Sequence, residues 1–112
     1  MFSDCYSLKT INLNNFNSQE LETMNGLFQG CKSLESIDLS SFNTVSLKQM
    51  SYLFEGCDSL TSVDLSNFNA YNSTNMNNMF KYCYSLEEIN LSNFKAQNAT
   101  NLREMFSYLT SS

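Results

Sequence analysis

One step length runs through the whole chain. Phe2, Phe28, Phe54, Phe80 and Phe106 stand 26 residues apart, and so do Cys5, Cys31, Cys57 and Cys83. The register never slips: Leu8 steps to Leu34, Leu60 and Leu86, Ile11 to Ile37, Val63 and Ile89, Leu13 to Leu39, Leu65 and Leu91, and Phe16 to Phe42, Phe68 and Phe94. A period in this range marks an array of like units, each too small to bury its own apolar edge, so that neighbouring copies must cover one another. The expectation is a single unit over residues 1–112 made of about four copies. Since the first and last copies are incomplete, it reads as a piece of a longer array.

Two periodicities share each copy. In "LESIDL" the apolar Leu34, Ile37 and Leu39 bracket the polar Ser36 and Asp38, the pattern of a short β-strand. Further on, Leu47, Met50, Leu53, Phe54 and Cys57 fall at helical spacing, and "SLKQ" at 46–49 is a capping-box word where that stripe begins. Gly30 and Gly56 stand just before the cysteine, where a helix would end in a left-handed residue, while Tyr82 and Tyr108 hold that place in later copies. The expected fold class is an α/β repeat solenoid with one short parallel strand and one short helix per 26-residue repeat.

The words "MFKYCYSLEEINLSNF" at 79–94 and "LFQGCKSLESIDLSSF" at 27–42 resemble the leucine-rich repeats, specifically the BspA-type, lipoprotein-like surface repeats of bacteria and microbial eukaryotes. The resemblance covers essentially the whole chain. It implies a leucine-rich-repeat-like right-handed stack with the parallel sheet on a concave face. It further implies a cell-surface or secreted protein that attaches to a protein or glycoprotein partner on a host or neighbouring cell. It brings no catalytic residues. One departure concerns the asparagine usual near the end of the leucine-rich word: Phe16, Phe42, Phe68 and Phe94 stand about there, so an aromatic ladder is expected in its place.

Composition narrows the function classes. A net charge of −5 without a basic run disfavours nucleic acid. No stretch approaches the roughly 18 apolar residues of a membrane span, so direct membrane insertion is not expected. The opening "MFSDCYSLKT" lacks the basic start and apolar run of a secretory signal. With no His in the chain, and with Ser7, Ser33, Ser59 and Ser85 lacking a base partner, no enzyme and no cofactor are expected. The four Cys lie singly, one per copy, so zinc-type spacing is absent and buried free thiols are favoured over disulfides or a metal site.

The strand face carries the candidate contact surface. Alternation projects Ser36 and Asp38, then Ser62 and Asp64, then Glu88 and Asn90 outward in rows. Asp38 and Asp64 would lie about 5 Å apart on neighbouring strands, a like-charge contact calling for protonation, a cation or a partner's basic group. Tyr82 and Tyr84 join them as exposed aromatic anchors. Asn72, Asn90 and Asn98 match the glycosylation pattern, which helix capping explains as well at Asn72 and Asn98. The leading expectation is a non-enzymatic recognition or adhesion module, and the alternative is a structural spacer or intracellular scaffold. An uncovered first strand adds edge-to-edge self-association as a further mode of partnering.

Overall fold

In the computed structural model, which describes residues 4–13, 21–42, 44, 46–70, 75–92, 94–96 and 106, the 26-residue step reappears as backbone pairing. Strand β1 (Ser62–Asp64) pairs in parallel with β3 (Glu88–Asn90), Val63 facing Ile89, and β2 (Asn69–Ala70) pairs with β4 (Lys95–Ala96). Isolated parallel bridges join Thr23 to Gln49 and Gln49 to Asn75. Phe2, Asn14, Phe16, Asn72, Asn98, Tyr108 and Leu109 lie outside the described residues.

The helix expected from Ser46 to Cys57 does not form, and no helix occurs among the described residues. An α-helix sends each N–H to the carbonyl four residues back. Here alternate N–H groups leave the copy altogether: Met50, Tyr52, Phe54 and Gly56 donate to the carbonyls of Asn75, Asn77, Met79 and Lys81 at 2.9, 3.1, 2.9 and 2.8 Å. Between them Glu55 and Cys57 close tight turns onto Tyr52 and Phe54 at 3.2 and 3.1 Å. Two left-handed residues per copy stop any helix from propagating, Gly26 and Gly30, Tyr52 and Gly56, Asn78 and Tyr82, all with φ between 57° and 76°. Ser46 and Gln49 therefore cap nothing, and the Lys48 and Gln49 N–H groups donate to Glu22 O at 2.8 and 3.1 Å.

This overturns the α/β, leucine-rich-repeat-like solenoid. Regular structure among the described residues amounts to two two-stranded parallel sheets, and the segment of Ser36 and Asp38 stays outside them. The chain measures 35 × 32 × 21 Å with a radius of gyration of 12.7 Å, a small globule, and no stack of strand-plus-helix repeats occurs among the described residues.

One apolar cluster fills it, from Ile11 and Leu13 through Phe28, Leu34, Leu47, Phe54, Leu60 and Phe80 to Leu86. Phe28, Phe54, Phe80 and Phe106 stack as a column with centroid spacings of 5.4, 5.7 and 6.1 Å and nearly parallel planes. Phe42 and Phe68 form a second column at 6.3 Å. Beside that pair, Asn67 Nδ2 donates to the carbonyls of Phe42 and Ser40 at 2.8 and 3.2 Å.

Candidate functional site

The four cysteines are free thiols. Cys57 and Cys83 donate to the carbonyls of Phe28 and Phe54 at 3.2 and 3.0 Å, so each thiol ties its copy to the preceding one. Burial pushes the Cys31 and Cys57 thiols up and raises Cys83 to about 12. A buried thiol held protonated is a poor nucleophile and a poor metal ligand. Among the described residues no group of three or more His, Cys, Asp or Glu side chains could hold a metal ion.

Every candidate contact residue is solvent-exposed: Ser36, Asp38, Ser62, Asp64, Tyr82, Tyr84, Glu88 and Asn90. Strand register sets Ser62 opposite Glu88 and Asp64 opposite Asn90. A cleft of about 330 Å³ lined by Asp38, Ser40, Asp64, Ser66 and Asn67 brings the two aspartates to one place. A wider one of about 490 Å³ is lined by Thr61, Ser62, Glu87 and Glu88.

The Asp row also builds the turn that follows each strand segment, which the alternation pattern does not show. Asp38, Asp64 and Asn90 each accept the backbone N–H two residues on, from Ser40, Ser66 and Ser92, at 2.9, 2.9 and 3.0 Å. The recurring words "DLS" and "NLS" at these positions are the signal, since an Asx side chain followed two residues later by a free N–H makes such a turn. The Ser40 hydroxyl and N–H hold the Asp38 carboxyl below the usual carboxylate range, and Ser66 does the same for Asp64. The charge of Asp38 pushes Asp64 the other way and is the weakest influence on it. Both carboxylates are thus ionised at neutral pH.

Tyr82 and Tyr84 line neither cleft. They meet each other instead, with ring centroids 6.1 Å apart. Tyr82 carries φ 64°, a backbone that costs a residue with a Cβ roughly 1–2 kcal/mol. The structure thus splits the predicted contact residues into an acidic row and an aromatic pair.

The family described as "Mycoplasma protein of unknown function, DUF285" matches residues 1–112. No curated protein matches the chain, and no solved structure does.

Proposed function

The chain belongs to that family, and we propose that it is a non-enzymatic recognition module whose contact surface is the polar row Ser36, Asp38, Ser62, Asp64, Glu88 and Asn90. The observation that carries the reading is the pair of ionised carboxylates, Asp38 and Asp64, locked by Ser40 and Ser66 beside one cleft. Side chains fixed before contact lose little entropy on binding, which is what a recognition surface needs and what a merely solvated face lacks. Two fixed negative charges on a chain of net charge −5 suit a partner offering Lys, Arg or amide donors. The resemblance to BspA-type surface repeats supports display at the cell surface or secretion, with a protein or glycoprotein on a host or neighbouring cell as the partner.

Asn90 supplies the test, because it makes the same turn without a charge. In the double variant Asp38→Asn, Asp64→Asn the turns persist and the charges vanish. Flow cytometry of labelled protein on host-cell monolayers is expected to show saturable binding that weakens at least about tenfold in the variant. Equal binding by the two proteins removes the acidic row from the contact surface. No binding by either leaves the copies as a spacer.

A further inference from the structure

The left-handed position before each cysteine is filled by Asp4, Gly30, Gly56 and Tyr82, at φ 59°, 75°, 76° and 64°. Glycine takes that backbone without steric cost, and a bulky aromatic residue does not. Packing a ring into the core would offset the strain, yet Tyr82 is 44% exposed and Tyr84 58%. The two rings sit 6.1 Å apart with planes tilted by 36°, and the Lys81 ammonium stands 5.1 Å from the Tyr82 centroid. Strain that burial does not account for clusters at ligand-contacting positions.

We propose that Tyr82, Tyr84 and Lys81 form a carbohydrate-binding platform that receives the C–H face of a pyranose ring. The proposal deepens the recognition reading and rests on it for its setting, but it uses none of the acidic row. Aromatic faces are electronegative, and sugar C–H bonds, polarised by the neighbouring oxygens, present the electropositive complement. Two phenol hydroxyls supply hydrogen-bond partners for the hydroxyls at the sugar's edge, and the Lys81 ammonium steadies the Tyr82 ring by its cation–π contact. A protein hot spot seats its aromatic anchor in a desolvated apolar pocket. This pair instead stands open to solvent, with Ser85 next in sequence exposed too, a setting that keeps a polar ligand hydrated at its edge.

The test is affinity electrophoresis and calorimetry against neutral oligosaccharides of glucose, mannose, galactose and N-acetylglucosamine, with thermal melts alongside. Tyr82→Gly installs the residue native to positions 30 and 56, so its Tm is expected to equal or exceed that of the parent. Sugar binding by at least one of the four is expected for the parent protein, weakened about tenfold in Tyr82→Gly and in Tyr84→Ser. The Asp38→Asn, Asp64→Asn variant should bind sugar as the parent does. No sugar binding by the parent protein overturns the proposal, as does undiminished binding by Tyr82→Gly. A lowered Tm in Tyr82→Gly also overturns it, since the ring would then be held by packing. Loss of cell binding in the aspartate variant without any sugar binding would leave the recognition reading standing and this platform refuted.

Discussion

Asp64 serves its own backbone and the surface at once. Its carboxylate closes the turn onto Ser66 and projects a charge into the cleft beside Asp38, so stability and pH are linked there. The serine contacts depress both folded-state pKa values, so the unfolded chain binds protons more readily than the folded one. The stability from these turns is therefore complete above the ordinary carboxylate pKa of about 3.9 and is lost as pH falls through the lower folded values. Thermal melts from pH 5 to pH 2 should show Tm falling more steeply in the parent than in Asp38→Asn, Asp64→Asn, where neither side chain titrates. Glu22, paired with Lys48 at 2.8 Å, adds a fall of the same sign to both proteins, and the difference between the curves isolates the aspartates. Parallel curves would show that the turns contribute nothing. The site itself is half legible from residues alone. The 26-residue step sets Asp38 beside Asp64, but the locking of each by a serine depends on a turn geometry that alternation cannot express. The tilt of Tyr84 against Tyr82 depends on a left-handed backbone that no local propensity of tyrosine announces.

At the scale of elements, a stripe at i, i+3, i+4 and i+7 has two solutions. Met50, Leu53, Phe54 and Cys57 are all buried, as an amphipathic helix would bury them, yet a run of tight turns carries them. A helix keeps its hydrogen bonds to itself, whereas these turns give every second N–H to the next copy, a choice set by a neighbour 26 residues away. The local signal against a helix is present in Gly26, Gly30, Gly56 and Asn78, residues tolerant of positive φ that each hold one of the two left-handed positions of a copy, with tyrosine at the other in the last two copies. The buried positions and the 26-residue pairing are legible, and the element type is not. What the turns give up in local regularity the phenylalanine column supplies between copies. Phe54 has a ring stacked on either side, at 5.4 and 5.7 Å, and is fully buried. Its truncation opens a cavity between copies and removes two stacking contacts. Phe54→Ala should cost roughly 3–5 kcal/mol in urea unfolding, and Phe106→Ala, at a half-buried end of the column, should cost less. Equal costs at the two positions would mean that the column does not act as a stack.

For the molecule as a whole, the same step of 26 governs folding as well as packing. The backbone bonds between copies join residues about 25 apart, and the single apolar cluster runs from Ile11 to Leu86 without a break. No copy has a helix or a hairpin among the described residues to form first, so little structure can be stabilised before a whole copy has closed on its neighbour. Contacts one step apart correspond to a relative separation of about 0.23 of the chain, at or above the range of all-β domains, which fold in milliseconds to seconds. The shared cluster favours one cooperative transition, because loss of any copy exposes the face of the next. The chain has no proline, so the slow isomerisation that delays many refolding reactions has no source here. Stopped-flow refolding of the reduced protein from urea, followed by tyrosine fluorescence and by circular dichroism, should give one phase in that range with matching rates. A microsecond phase would indicate local structure forming ahead of the ladder. Different rates from the two probes would indicate copies that fold separately and dock afterwards. The six tyrosines run from Tyr6 to Tyr108, so fluorescence reports side-chain packing along the chain while circular dichroism reports the paired backbone, and their agreement would show that packing and pairing form in one step.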